Sequence, residues 1–252
     1  MQFLILLRSL AYQVFLMLSV ALFGGAIAIV GRWVPFRLLS RVARIWARAN
    51  LIALKSLCRL DYRIEGLEHL PTSTCIVMSK HQSAWETIAL RALLPVEHTW
   101  VLKRELLDIP ILGSALRRFR VIAIDRSAGR AALKQLVTEG QHLLGTGHWV
   151  VIFPEGTRVP PGERASYNVG GALLAQRSGY PILPIAHNAG VFWGRRSLIK
   201  RAGTIQLVIG ESINSTGKSA QQLSRETESW IEGVVARLPT RADLQRSPAQ
   251  SD

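Results

Sequence analysis

Directly after the apolar run Cys75-Ile76-Val77-Met78 stands Ser79-Lys80-His81-Gln82-Ser83-Ala84-Trp85-Glu86, which sets an imidazole and a carboxylate five positions apart. On a regular helix that spacing separates two side chains by roughly 140°, so His81 and Glu86 meet only if His81 lies in the loop before the helix. The carboxylate then reaches back to one ring nitrogen, fixes the tautomer and leaves the other nitrogen free as a base. Glu86 has a structural use as well. Ser83-x-x-Glu86 reads as a capping box at a helix start, and these eight residues taken alone favour the cap.

A second group, Val151-Ile152-Phe153-Pro154-Glu155-Gly156-Thr157-Arg158, runs from a strand into a turn. Pro154 and Gly156 predict a tight connection, and Thr157 and Arg158 supply a hydroxyl and a planar donor fork suited to phosphate. Between the two groups, Lys103 and Arg126 each follow a strand candidate and are placed to converge on the same anion. Arg117, Arg118 and Arg120 read as solvated or lipid-facing charges. Gly217-Lys218-Ser219 has the look of a phosphate-binding loop, but six residues separate Gly210 from Gly217 where that loop has four. The chain has no G-x-S-x-G nucleophile elbow; Ser83 beside His81 keeps a lipid hydrolase as the rival enzyme. Cys58 and Cys75 stand in apolar surroundings without zinc spacing, so reduced core thiols and no metal are expected.

These groups need a scaffold that brings strand ends together. Beyond residue 60, β-rich runs alternate with helical patterns, which predicts an α/β domain with a mixed, largely parallel sheet flanked by helices. The predicted strands are Asp61 to Ile64, Thr74 to Met78, Thr99 to Leu102, Val121 to Ile124, Trp149 to Phe153, Ile182 to Ala186 and Thr204 to Ile209. Helices are predicted over Ala84 to Leu94, Ile111 to Arg118, Ala128 to Leu144, Gly170 to Arg177 and Ala220 to Leu238.

The first sixty residues differ in kind. No residue from Ser9 to Gly31 is charged, a run long enough to cross a bilayer. An anchor helix is favoured over a cleaved signal peptide, because only Arg8 precedes the run and the run exceeds a typical signal core. Past Pro35, Arg37, Arg41, Arg44, Arg48, Lys55 and Arg59 fall on a stripe roughly 60° wide at helical spacing. Apolar residues take the other faces, as in a cationic helix lying in a lipid interface. Lys and Arg total 31 against 17 Asp and Glu, a net charge of +14 on a chain 48% hydrophobic. With so much of the charge beside a long apolar segment, an anionic membrane rather than nucleic acid is the expected partner. Residues 1–60 are thus expected to form two membrane-binding helices, 61–240 the catalytic domain and 241–252 a disordered tail. The basic excess after the apolar run would keep the remainder on the cytoplasmic face of the inner membrane.

Taken in order, the blocks resemble the glycerolipid acyltransferase family, most closely the lysophosphatidate acyltransferases, over approximately residues 60–210. His81 with Glu86 matches the family's first block, and Lys103 to Gly113 with Ile124-Asp125-Arg126 the second. Phe153 to Arg158 matches the third without change, and Pro181-Ile182-Leu183-Pro184-Ile185-Ala186 the fourth. The resemblance implies that His81 deprotonates the acceptor hydroxyl while Glu86 orients it, and that no covalent acyl-enzyme forms. It also implies that Lys103, Arg126, Glu155, Gly156, Thr157 and Arg158 form the glycerol phosphate site, with backbone donors for the oxyanion. The co-substrate would be an acyl-CoA or acyl carrier protein thioester, with no other cofactor, and the acceptor lysophosphatidate or another lysolipid such as lyso-ornithine lipid. Glu86 stands where the family usually has Asp, Lys80 where it often has Asn, and Asn168 where a basic residue commonly follows the aromatic. A basic protein that merely coats membranes, the non-enzymatic rival, would tolerate loss of His81.

Overall fold

Seven strands, β1 (Leu60–Glu65), β2 (Ile76–Ser79), β3 (His98–Lys103), β4 (Ile122–Ile124), β5 (Trp149–Ile152), β6 (Ile182–His187) and β7 (Gly203–Ile209), join in one sheet in a computed structural model that describes residues 2–246. Their order is β1-β7-β6-β2-β5-β3-β4, and every junction is parallel except β6 with β7. All seven predicted strands form, and the sheet is mixed and largely parallel as expected. β2 and β5 are buried at every residue. Ile76-Val77-Met78 and Trp149-Val150-Val151-Ile152 read as unbroken apolar runs for that reason, since helices cover both faces of a parallel sheet. Val77, Val151 and Leu183 enter the core on one face, and Ile76, Met78, Val150 and Ile182 the core on the other.

The helices are α1 (Gln2–Ser19), α2 (Gly25–Val30), α3 (Phe36–Cys58), α4 (Trp85–Leu93), α5 (Leu112–Leu116), α6 (Arg130–Gly145), α7 (Gly170–Ser178), α8 (Ala189–Phe192), α9 (Ala220–Val235) and α10 (Arg241–Arg246). The predicted helix over Ile111 to Arg118 ends early, at Leu116, and passes into a 3-10 turn over Arg117–Phe119. The tail expected to be disordered from Arg241 begins instead with α10, whose start is closed by Asp243 accepting the backbone N–H and hydroxyl of Thr240. The rest of that expected tail, 247–252, lies outside the described residues.

α1 and α2 run on through a π-helical turn, Val20–Gly24, as one apolar stretch of 29 residues, within which an 18-residue window reaches a mean hydropathy of 2.3. The stretch turns its polar residues inward. Ser9 accepts from the Lys200 backbone N–H at 2.9 Å, Gln13 accepts from Lys200 Nζ at 2.7 Å, and Ser19 accepts from Trp46 Nε1 at 3.0 Å. Phe3, Leu7, Val14, Met17, Leu18 and Leu22 face outward. α3 buries Leu39, Ala43, Ala47, Leu51 and Leu54, and leaves Leu38, Ile45 and Ile52 exposed beside Arg41 and Arg48. Tyr12, Ala47, Leu51 and Leu54 share the main core with β2, β5 and β6. The N-terminal segment expected over residues 1–60 is therefore continuous with the catalytic domain rather than tethered to it. Arg44 leaves the predicted basic stripe to donate to the Leu94 carbonyl at the end of α4.

Candidate active site

β2, β5, β3 and β4 are consecutive in the sheet and parallel, so their carboxyl ends share one edge. His81 lies just past the end of β2, Phe153 to Arg158 follow β5, Lys103 closes β3, and Arg126 follows β4. Four segments far apart in sequence are brought to one rim by topology alone, where α/β sheets place reactive loops. β6 is parallel to β2 and ends there too, bringing His187.

His81 sits in the loop before α4, and its Nδ1 lies 2.8 Å from Glu86 Oε1. The same oxygen accepts the backbone N–H of Gln82 at 2.9 Å and of Ser83 at 2.7 Å. Both readings of Glu86 therefore hold together: one carboxylate ties the entrance of α4 and grips the imidazole. The predicted cap is modified, because α4 begins at Trp85 and Ser83 accepts from the Trp85 N–H at 3.2 Å rather than closing a reciprocal box. Glu86 is fully buried. Burial pushes its carboxyl up, but the neighbouring His187, the His81 ring and the Ser83 amide outweigh it and hold the group below its ordinary range. An ionised carboxylate only accepts, so Nδ1 of His81 carries the proton and Nε2 presents a lone pair. Among the described residues nothing hydrogen-bonds Nε2.

The main chain of His81 is held at both ends by the loop after β5. Its N–H donates to Glu155 Oε2 at 2.6 Å, and its carbonyl accepts from Val159 N–H at 2.8 Å. The first and third blocks thus interlock through the backbone of His81. Within that loop Gly156 N–H returns to the Phe153 carbonyl at 3.0 Å, with Pro154 in the turn, and Gly156 adopts φ +68°, a region where a side chain is costly. Asn168 Nδ2 donates to the Pro154 carbonyl at 3.0 Å.

The expected phosphate residues divide into two sets. Arg126 donates to the Gly156 carbonyl, Thr157 is exposed and Arg158 half-buried, so these surround the turn. Lys103 is on the same rim but extends over the surface to Glu105 at 2.6 Å. Glu155 turns inward instead of lying with the cationic set: its carboxylate is buried, engaged by the His81 amide and 2.6 Å from Lys80 Nζ. Ser83 is buried with its hydroxyl accepting from the Trp85 N–H, and among the described residues no hydrogen bond joins it to His81, so the hydrolase reading gains no serine–histidine pair.

Sequence reasoning missed three contributors. Phe153 stacks on the His81 ring, centroids 4.0 Å apart. His187, fully buried, donates from Nε2 to the Lys80 carbonyl at 2.9 Å and lies 3.9 Å from Glu86 Oε2. Glu232 of α9 accepts from Lys80 Nζ at 2.7 Å. A signal for the last was present, since Leu223, Thr227 and Ile231 mark the inward stripe of α9 and Glu232 sits beside it. A carboxylate there requires a cation partner.

Residues 61–188 match the family model described as Acyltransferase. The chain is 38% identical over 237 residues to a 1-acyl-sn-glycerol-3-phosphate acyltransferase of Pseudomonas aeruginosa, covering 92% of this chain and 91% of that protein. A human 1-acyl-sn-glycerol-3-phosphate acyltransferase alpha is 33% identical over 139 residues, 55% of this chain and 49% of the human protein. The crystal structure of the 1-acyl-sn-glycerophosphate (LPA) acyltransferase PlsC from Thermotoga maritima superposes with TM-score 0.76 at 20% identity, covering 97% of this chain and 98% of that one, a likeness of fold. The matched segment contains the His81–Glu86 pair and the turn after β5, and with similarity extending through nearly the whole chain, this protein belongs to the acyltransferase family.

Proposed function

We propose that this protein transfers a fatty acyl group from an acyl thioester to the sn-2 hydroxyl of 1-acylglycerol 3-phosphate, giving phosphatidic acid. The observation that carries this reading is the His81–Glu86 pair, with Nδ1 held at 2.8 Å by a buried carboxylate and Nε2 left open. Nε2 takes the proton of the acceptor hydroxyl as its oxygen attacks the thioester carbonyl. The tetrahedral oxyanion collapses, the carbon–sulfur bond breaks, and the departing thiolate receives the proton from Nε2. The transfer is direct, with no serine ester, since among the described residues no hydrogen bond joins Ser83 to His81. Arg126, Thr157 and Arg158 around the Gly156 turn, with Lys103 on the same rim, bind the acceptor phosphate. Planar guanidinium forks favour such a dianion over a neutral head group. The names of the relatives support this acceptor.

The outward apolar face of α1 and α2, and the exposed leucine and isoleucines of α3 beside Arg41 and Arg48, support a membrane setting for the enzyme. We place it at the inner membrane with the catalytic domain on the cytoplasmic face, where acyl-CoA or acyl carrier protein delivers the thioester. The reaction as written uses no metal or further cofactor. The test is acyl transfer to lysophosphatidate in liposomes by wild type and His81→Ala, with acyl-CoA and acyl carrier protein donors in parallel. Phosphatidic acid from wild type, reduced by about 10²- to 10⁴-fold in the variant, is the expected result. No product with either donor rejects the lysophosphatidate reading and points to another lysolipid acceptor.

A further inference from the structure

Beneath the His81 loop lies a buried charge cluster that the general-base step does not use. Lys80, whose side chain is 1% exposed, sets its ammonium 2.6 Å from Glu155 Oε1 and 2.7 Å from Glu232 Oε1. The other Glu155 oxygen takes the His81 N–H at 2.6 Å, and the Tyr167 hydroxyl donates to Glu232 at 3.0 Å. One ammonium thus serves two carboxylates away from water. Every element around the cluster contributes: His187 of β6 holds the Lys80 carbonyl, and Glu228 of α9 acts on Tyr167. Arg164 and Arg225 line the surface groove above, together with Glu228 and Glu232.

We propose that Lys80 is a positioning residue for acyl transfer, clamping Glu155 against the His81 amide and tying that carboxylate to Glu232, so that α9 braces the loop carrying the base. The inference rests on the acyl-transfer reading. Without the ammonium, Glu155 and Glu232 face one another with no cation between them, and a buried carboxylate in that position takes up a proton. Burial already pushes Glu155 up to about 7, against the pull of Lys80. Once neutral, its oxygen is a weaker acceptor for the His81 N–H, and of the two bonds to the His81 main chain only the one from Val159 keeps its strength. Removing the charge of Glu232 acts in the other direction. Lys80 then serves Glu155 alone, which stays ionised to lower pH.

The experiment is kcat and KM against pH for wild type, Lys80→Gln and Glu232→Gln, with amide hydrogen exchange over residues 79–86 at each pH. Lys80→Gln is expected to lower kcat by about 10²-fold through displacement of the base, leaving the lysophosphatidate KM within about twofold. It moves the acid limb of kcat to higher pH and speeds exchange at His81. The near-isosteric Glu232→Gln moves the acid limb to lower pH. Loss of activity in both variants with the acid limb unmoved, or exchange at His81 equal to wild type in Lys80→Gln, overturns the proposal. If Lys80→Gln does not fold, the direction of the Glu232→Gln shift decides. A wild-type enzyme that makes no phosphatidic acid rejects the acceptor reading instead, and the exchange data still decide whether Lys80 holds the loop.

Discussion

The imidazole of His81 lies flat on the ring of Phe153, with centroids 4.0 Å apart and planes 13° from parallel. Phe153 in turn packs on Trp100 at 5.8 Å, and the guanidinium of Arg91 lies over the Trp100 ring, 5.7 Å from its centroid. Glu86 grips one edge of the imidazole while Phe153 covers a face, so the ring can neither tilt nor swing. The Nε2 edge has no hydrogen-bond partner among the described residues.

Phe153→Ala removes the face support while leaving the Glu86 contact. We expect kcat to fall by about tenfold, a loss of the size of one aromatic stacking contact, with KM little changed. Phe153→Tyr keeps the stack and most of the activity, and Phe153→Leu fills the space without a π face. Steady-state kinetics on the three variants separate stacking from bulk: equal rates for Tyr and Leu would mean that volume alone matters.

Glu86→Gln tests the grip on the other edge. The amide still accepts the Gln82 and Ser83 N–H groups through its oxygen, so α4 keeps its entrance, but the charge that holds the Nδ1 tautomer is gone. The expected loss in kcat is about 10²- to 10⁴-fold, comparable to losing the base, with a thermal midpoint near that of wild type. A variant that unfolds early but retains its turnover per folded molecule would show Glu86 to be a cap and nothing more.

Gly156→Ala probes the turn surrounded by Arg126, Thr157 and Arg158, the residues proposed to bind the acceptor phosphate. Its φ of +68° disfavours any side chain, and an added Cβ would stand 3.0 Å from Asn168 Nδ2 and 3.9 Å from the Arg126 guanidinium. Destabilisation of about 1–2 kcal/mol is expected from the backbone alone. The displaced Arg126 and Arg158 raise the lysophosphatidate KM more than they lower kcat. Thermal melts with saturation kinetics check both; an unchanged KM would detach this turn from the acceptor phosphate.

The strands were legible because continuous apolar runs such as Ile76-Val77-Met78 leave no other reading once helices alternate with them. The rim followed from the strand order, as His81, Lys103, Arg126 and the Glu155–Arg158 turn come at or just after strand ends, and Glu86 alone stands in an α-helix. What sequence could not show was the direction of long side chains. Glu155 and Arg158 are neighbours in one loop, yet one turns into the core and the other stays half-exposed, because Lys80 stands beneath only the first. Arg44 keeps the helical period of its basic neighbours but turns inward, since the end of α4 leaves the Leu94 carbonyl within reach. Such choices depend on partners tens of residues away.

The exposed faces of α1 and α3 make a prediction about lipid. Arg41 and Arg48 stand beside Leu38, Ile45 and Ile52, so charge brings the helix to the surface and apolar contact keeps it there. Replacing both arginines by glutamine is expected to weaken binding to anionic vesicles by about 1 kcal/mol per charge, most visibly at low salt. Flotation across a salt series measures it. Binding that ignores ionic strength in wild type would leave α1 and α2 as the whole anchor.

Glu155 links the site to the pH dependence of stability. Its ordinary value is 4.5, and in the fold burial raises it to about 7, so the folded protein binds this proton more tightly than the unfolded chain does. The stability it contributes is complete below about 4.5 and is lost as pH rises through about 7. Glu86 runs the other way: its lowered value adds stability above the ordinary carboxylate range, which is lost as pH falls through its folded value. Glu155→Gln therefore flattens the stability profile on the neutral side, because an amide cannot lose the proton whose release weakens the fold. Denaturant midpoints in detergent at pH 4.5 and pH 7.5 give the comparison. Wild type is expected to lose more stability than the variant over that interval, and parallel losses would show that Glu155 is already ionised at the lower pH.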